Sequence, residues 1–338
     1  MPDAPNNRIA PGSIVFLTGG SGFLGRQLIR DLTAAGFRVR ALARSGKSAE
    51  TVRALGAEAV AGDLADAGAL QQGMAGCAAV IHAAAKVEQW GRWEDFLRDT
   101  VTGTENVLAA ARAAGVGCFV HIGTEAVLAD GHAIVDADET RPLPPHPNGL
   151  YPRSKGMAEQ RVLAANAPGF ATIVVRPRFI WGEGDTTVLP KFVQAMRSGA
   201  WAWFGGGRHR TSTCHVRNVC HGTLLAMQRG RGGEVYFLTD GEPVICRDFI
   251  SRLVQTQGVE AGRRSLPLWV ADATAAASEA AWRLFGLKGE PPLTRTAVNL
   301  MFREVTVSDR KAREELGYRP VVSIEEGLEG LQRAAGTK

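Results

Sequence analysis

Tyr151 and Lys155 stand four residues apart in Tyr-Pro-Arg-Ser-Lys, a phenol and an ammonium at a spacing that can move a proton. On a helix, positions i and i+4 share a face, so the charge of Lys155 can favour the phenolate and make Tyr151 a usable acid or base. A second run with chemical potential lies upstream, Thr18-Gly19-Gly20-Ser21-Gly22-Phe23-Leu24-Gly25. Between a strand and a helix, Gly19, Gly22 and Gly25 allow a tight turn, close backbone approach to a pyrophosphate and anion binding at a helix N-terminus. The pattern predicts a dinucleotide site that includes Phe23 and Leu24. A proton carrier beside a dinucleotide points to hydride transfer.

Later segments agree with that site. Gly62-Asp63-Leu64 follows the third strand, where a carboxylate can accept from an adenine amino group, and His82-Ala83-Ala84-Ala85 follows the fourth, where small side chains let a cofactor lie close. Read singly, Asp63 fits a helix N-cap equally well and the alanines fit tight packing. An NAD site usually places a carboxylate after the second strand for the ribose 2′-hydroxyl, whereas a 2′-phosphate needs positive charge. No Asp or Glu occurs between Arg38 and Glu50; Arg44 and Ser45 close that strand with Lys47 behind. NADP is favoured over NAD.

These residues need a scaffold, and the sequence supplies an alternation of β-branched and alanine-rich runs. Ile14-Val15-Phe16-Leu17, Arg38-Val39-Arg40-Ala41-Leu42, Ala78 to Ile81, Cys118-Phe119-Val120-His121-Ile122 and Thr172-Ile173-Val174-Val175 read as strands, with helices at 94–114 and 151–166. That alternation predicts an α/β fold, a Rossmann-like doubly wound parallel sheet. After Pro177 the chain turns Gly-rich, so we expect a smaller, discontinuous C-terminal substrate domain at 183–213 and 241–335. The dinucleotide-binding domain is expected over 13–182, with a return segment near 214–240 carrying Val235-Tyr236-Phe237-Leu238.

Composition narrows the classes. The 338 residues are 45% hydrophobic, and 39 basic against 34 acidic residues give a net charge of +5 with no dense basic run, which argues against nucleic acid as a partner. Five scattered cysteines without CxxC spacing argue against a disulfide framework or a metal site and suit a reducing cytoplasm. Residues 1–12 lack an apolar core segment and read as a disordered tail rather than a signal peptide. The stretch 266–287 is interrupted by Asp272, Glu279 and Arg283, so it predicts no integral membrane span. It reads as an amphipathic helix with Trp269, Ala273, Ala276, Ala280 and Leu284 on its apolar face.

The glycine run, Tyr151-Pro152-Arg153-Ser154-Lys155 and a hydroxyl residue after the fifth strand resemble the extended short-chain dehydrogenase/reductase superfamily over nearly the whole chain. Arg176 to Asp185, Tyr236 to Val244, Ser265 to Trp269, Gly289 to Arg295 and Glu315 to Leu328 are similar to its 3β-hydroxysteroid dehydrogenase-like branch, which includes bacterial 3-keto acid reductases and sterol-carboxylate dehydrogenases. The resemblance implies that Thr124, three positions before Val127, orients a carbonyl, that Tyr151 carries the proton, and that Lys155 tunes it and holds the nicotinamide ribose. It also implies cofactor contact at Pro177.

Departures from the pattern are informative. Thr100 stands where relatives often have Asn, and Arg217 where many have Asp. The Arg-Asp-Phe run with which sugar-nucleotide epimerases grip UDP is replaced by Thr211-Ser212-Thr213, and Glu125 is followed by Ala126 instead of completing a dehydratase Thr-Asp-Glu. Trp90, Trp93 and Trp181, with Lys86 and Glu125, are expected to line a pocket for a hydrophobic small molecule, a secondary alcohol or ketone that is steroid-like or β-keto acid-like. The alternatives are a sugar-nucleotide epimerase and a non-catalytic dinucleotide sensor. As in related reductases, helices 94–114 and 151–166 could pair across a homodimer.

Overall fold

The computed structural model describes residues 9–336. Seven parallel strands form the main sheet: β1 (Ile14–Thr18), β2 (Arg38–Ala43), β3 (Glu58–Ala61), β4 (Ala79–His82), β5 (Cys118–Ile122), β6 (Ala171–Pro177) and β7 (Val235–Leu238). Their spatial order is β3-β2-β1-β4-β5-β6-β7. The chain works outward from β1 to β3, then returns to lay β4 on the other side of β1, so β1 and β4 flank the crevice where open α/β sheets bind ligands.

Alternate strand residues feed two cores. Val15, Leu17, Ile81, Val120 and Val175 face one side with Leu28, Ile29 and Leu32 of helix α1 (Phe23–Ala34), while Phe16, Val80, Phe119 and Val174 face the other with Leu70, Val107 and Val162. Burial on both faces explains why the strands read as continuous apolar runs. Part of the expected tail is ordered: Ile9 is buried in the first core and Gly12 donates to the Gly36 carbonyl, while 1–8 lie outside the described residues.

Two further helices follow β2 and β3, α2 (Gly46–Ala54) and α3 (Ala67–Met74). The helix expected at 94–114 is interrupted. An α-turn at Trp93–Phe96 gives way to π-type turns over Leu97–Thr102 before α4 (Gly103–Ala113). Thr104 donates to the Thr100 carbonyl at 2.6 Å, and a Cβ on Gly103 would lie 2.8 Å from Leu64, so a hydroxyl and a tight contact distort the ladder there. Helix α5 (Leu150–Ala164) runs unbroken and carries Tyr151 and Lys155.

One buried ion pair fastens α5 to the sheet: Arg176 on β6 donates from Nε to Glu159 Oε2 at 2.9 Å and from Nη2 to Oε1, with both side chains at most 4% exposed. Glu159 lies one turn beyond Lys155. Removing one partner leaves an uncompensated charge, so Glu159→Gln is expected to cost about 3–5 kcal/mol, seen as a fall in the denaturation midpoint.

A second sheet draws on distant pieces of the chain. A four-stranded sheet joins Val244–Ile245, Arg210–Thr211, Val305–Val307 and Ile134–Ala137, so a strand from the first half lies in it. Conversely Ala312, Leu316 and Tyr318 return to the main core, where the Tyr318 hydroxyl donates to the Thr239 carbonyl at 2.7 Å. Local sequence cannot signal such docking, because it is decided by a tertiary partner. Helix α6 (Val216–Arg229) holds the C-terminal segment through Asn218, whose amide oxygen accepts from Val321 and Val322; Arg217 beside it is exposed.

Helix α7 (Leu268–Phe285) occupies the stretch expected to be an amphipathic helix, with Asp272 and Arg283 exposed. It buries Ala271, Ala275 and Glu279 and turns Trp269, Ala273, Ala280 and Leu284 outward. Glu279 tolerates burial because Arg283 and Arg295 flank it and Arg295 N–H donates to it at 2.8 Å. Among the described residues no helix is long and apolar enough to cross a membrane.

Candidate active site

The glycine turn sits at the crevice between β1 and β4. Gly19 has a φ of 76°, and a Cβ there would approach the Ala83 carbonyl carbon and the Ala84 nitrogen to 2.9 Å. A Cβ on Gly25 would fall 2.0 Å from the Gly19 carbonyl oxygen. Over Gly22 only that carbonyl, at 3.3 Å, lies near a built Cβ, so the cradle is open where a phosphate needs backbone contact. Gly22 is the N-cap of α1 and no side chain caps that end, which leaves the first-turn N–H groups around Phe23 and Leu24 for an anion. The residues fit a dinucleotide.

The rest of the predicted cofactor set divides. Ala84 N–H donates to Thr18 at 3.2 Å, and Thr18 also bonds His82 at 2.7 Å, which fixes Ala83, Ala84 and Ala85 along the crevice. Ser45 is committed to a capping box with Ser48 at the start of α2, while Arg44 is exposed and makes no ion pair among the described residues. Asp63 is exposed and its Oδ1 caps Ala65 N–H at 2.7 Å; the N-cap of α3 is Asp66. Leu64 packs on Gly103, and its carbonyl accepts from Asn106 at 2.8 Å. Pro177 is buried at the carboxyl end of β6.

Thr124 follows β5, and Tyr151 opens α5 against Ala126, Ala129 and Leu300. The Thr124 hydroxyl, 7% exposed, donates to Glu125 Oε2 at 2.9 Å and accepts from Ala126 N–H at 3.2 Å. That hydroxyl thus faces the Glu125 carboxylate, and the Tyr151 phenol is its other side-chain neighbour. Glu125 is held in turn by Arg178, a buried partner at 3.3 Å that also donates to Thr211 at 3.1 Å and to the Leu300 carbonyl at 2.6 Å.

Burial dominates the electrostatics of the site. Burial pushes the Tyr151 phenol up to about 12, the negative charge of Glu125 adds to the rise, and Thr124 partly offsets it. The Lys155 ammonium donates to the Ile122 carbonyl at 2.6 Å and lies 3.3 Å from His121 Nε2. Burial brings Lys155 down to about 8, and burial with the Lys155 charge holds His82 near 3 and His121 well below its ordinary value, so both imidazoles are neutral. The phenol therefore starts as an acid.

That raised value has a consequence for stability. The folded state holds the Tyr151 proton more tightly than the unfolded chain, so this contribution is intact below pH 10 and is lost as pH rises from 10.0 towards about 12. Tyr236 and Tyr318, the other two tyrosines, are also raised. Ultraviolet titration is expected to show no tyrosinate at pH 10 in the native protein and about half ionisation of each phenol in denaturant.

Of the five expected substrate positions, Glu125 lies against Thr124 and three follow β4 in the chain. Lys86 N–H donates to Thr100 at 3.1 Å, and its ammonium pairs with Glu88 at 3.3 Å and lies over Phe96. Trp90 lies under the Arg283 guanidinium at 5.2 Å, and Trp93 is covered by Arg153 at 4.1 Å. Trp181 belongs elsewhere: it is 1% exposed in the second-part core, and its indole donates to Asp240 at 2.7 Å, so it offers no face to a ligand. Arg178 and His121 were missed, although Arg178 is flagged by its unusual place directly after Pro177.

Comparison with known proteins gives the family and the fold. The model of the 3-beta hydroxysteroid dehydrogenase/isomerase family matches residues 16–268. A 4-hydroxy-2-methyl-3-oxo-4-farnesyl-3,4-dihydroquinoline-1-oxide ketoreductase from Stigmatella aurantiaca is 51% identical over 94% of this chain and 96% of its own length. A 2-alkyl-3-oxoalkanoate reductase from Stenotrophomonas maltophilia is 35% identical over 95% and 99%. Among solved structures, a double mutant of a dTDP-glucose 4,6-dehydratase from Streptomyces venezuelae, with NAD bound, superposes with a TM-score of 0.74 at 25% identity over 94% of this chain and 95% of that one. The chain belongs to the 3-beta hydroxysteroid dehydrogenase/isomerase family, as an NAD(P)-dependent oxidoreductase acting on CH–OH groups.

Proposed function

We propose that the protein is an NADPH-dependent reductase of an apolar ketone, with Tyr151 as the proton donor. The observation that carries this reading is the placing of Tyr151 at the start of α5 against Ala126 and beside Thr124, whose hydroxyl is anchored on Glu125, so that a phenol can give a proton to a carbonyl oxygen. Bound nicotinamide supplies the hydride. Tyr151 gives its proton to the carbonyl oxygen, Thr124 aligns the phenol, and Lys155 is placed to hold the ribose and to stabilise the phenolate left behind. The two named relatives act on an apolar dihydroquinoline oxide and on 2-alkyl-3-oxoalkanoates, which supports a ring ketone or β-keto acid class for this site. Turnover of a panel of ring ketones and 2-alkyl-3-oxoalkanoates with NADPH, beside UDP-sugars, tests it; reaction with a UDP-sugar alone overturns it.

Preference for the 2′-phosphate rests on Arg44, which is exposed, without an ion pair among the described residues and beside the N-terminus of α2, with Lys47 in the first turn and no acidic residue there. Arg44→Glu is expected to weaken NADPH binding by about tenfold or more while NADH binding holds or improves, read by cofactor fluorescence. We also assign the cofactor and substrate parts to 13–182 with 214–240 and to 183–213 with 241–335, exchanging the strand Ile134–Ala137 and the segment 312–318 as described. Five buried free thiols favour a cytoplasmic setting, and the helical runs at 94–114 and 151–166 are the proposed dimer faces.

A further inference from the structure

Tyr151 and Thr124 come from separate elements, and one short helix outside the main sheet reaches both. Helix α8 (Arg295–Phe302) follows the N-cap Thr294 and buries Thr296, Val298, Asn299 and Leu300. Thr296 and Asn299 stand three residues apart and share one side of it. Thr296 donates to the Asn148 carbonyl at 2.7 Å, and a Cβ on Gly149 would fall 2.0 Å from the Thr296 hydroxyl oxygen, so helix and loop touch just before Tyr151. Asn299 accepts from Gly131 N–H at 2.8 Å and donates to the His132 carbonyl at 2.6 Å, which ties down the chain beyond the short turn that follows Thr124. Leu300 packs with Ala126 and Ala129 against Tyr151 itself.

The far end of α8 is held by side chains, because the last carbonyls of a helix have no partner within it. Arg178 donates to the Leu300 carbonyl at 2.6 Å and His209 to the Met301 carbonyl at 3.1 Å. A cation there also meets the negative end of the helix dipole. The same guanidinium pairs with Glu125 at 3.3 Å, and Glu125 accepts from the Thr124 hydroxyl at 2.9 Å. Phe179, next to Arg178, has a φ of 47°, which a non-glycine residue keeps only where its surroundings overdetermine it. We propose that α8 is a brace that sets Tyr151 against Thr124, with Arg178, Asn299 and Leu300 as its positioning residues. Leu300 bears on the phenol, Asn299 on the loops beside it, and Arg178 on the Thr124 side through Glu125. A displacement of about 1 Å at a reacting group can cost on the order of 10²-fold in rate, so a brace remote from the cofactor acts on kcat. The proposal rests on Tyr151 as the acid of the reaction.

Ultraviolet titration of the full chain reads the brace without substrate, since Tyr151 is one of 3 tyrosines and its step is the one missing in Tyr151→Phe. Burial raises that phenol to about 12, so wild type keeps it protonated at pH 10; Leu300→Ala lets water reach the ring and is expected to ionise roughly a third of it there. Glu125, Arg178 behind it and Lys155, one turn along α5, keep their charges in that variant. Asn299→Ala and Arg178→Met are each expected to lower kcat for ketone reduction about 10- to 100-fold, with NADPH affinity within about twofold of wild type. Arg178→Lys keeps the charge without the fork and is expected to fall between wild type and Arg178→Met. Leu70→Ala, a truncation among Phe16, Val80 and Val107 in the other core, lowers thermal stability and leaves the titration and the kcat of the folded protein as in wild type. Brace variants that match wild type in both readings, or that lose activity only through an unfolded fraction as Leu70→Ala does, overturn the proposal. A wild type that binds NADPH and reduces no ketone strikes the assignment of Tyr151 as the acid, and the titration alone then decides the brace.

Discussion

Tyr151→Phe is expected to lower kcat for ketone reduction about 10²–10⁴-fold, the range for loss of a general acid. The variant keeps the ring that packs on Ala126, Ala129 and Leu300 and loses only the hydroxyl. Folding and NADPH affinity therefore stay near wild type, and the loss falls on kcat. Glu125→Gln moves a different observable. Removing the carboxylate takes away a charge that opposes the phenolate, so the pH at which reduction fails on the alkaline side moves down. It also leaves Arg178 buried without its anion, so Glu125→Gln with Arg178→Gln is the companion variant that separates acidity from stability. Steady-state rates across pH with saturating NADPH read both effects.

Gly25→Ala is expected to abolish dinucleotide binding. The added methyl would lie 2.0 Å from the Gly19 carbonyl oxygen and 2.7 Å from Gly20 Cα, both backbone atoms, so the turn must open. Gly19 is itself pressed against Ala83 and Ala84, which leaves the turn no room on the β4 side. The phosphate cradle and the start of α1 move together, and a loss of more than about 100-fold in NADPH affinity, or about 2.7 kcal/mol, is expected by fluorescence titration. Gly22→Ala is the milder comparison, because its Cβ meets only one atom at 3.3 Å and intrudes on the ligand rather than on the turn.

The main sheet was legible because buried parallel strands write their own signature. Val15, Leu17, Val80, Ile81, Val120 and Val174 sit in continuous apolar runs, and the glycine turn marks where β1 hands over to α1. The spacing of Tyr151 and Lys155 likewise follows from one helix. What the spacing could not fix was where the ammonium points, since that depends on the Ile122 carbonyl and His121, more than 30 residues upstream in the chain. Nor could it show that Glu125 takes the Thr124 proton, because Glu125 is held there by Arg178 from beyond β6. Aromatic residues misled for the same reason: Trp181 and Trp90 look alike in sequence, yet one is sealed by Asp240 and the other stands under Arg283. Which side of α7 faces the core was hidden because alanine is equally at home on either side of a helix and the deciding contact is the burial of Glu279 between two arginines.

The most direct test is a single-turnover reaction of the protein with NADPH deuterated at the transferring position and an apolar ring ketone, with the product read by mass spectrometry. Wild type is expected to deliver deuterium to the carbinol carbon, and Tyr151→Phe to bind both reactants and form little or no labelled alcohol. Label transfer by Tyr151→Phe at the wild-type rate, or an alcohol from wild type that carries no deuterium, would contradict the assignment of hydride transfer with Tyr151 as its acid.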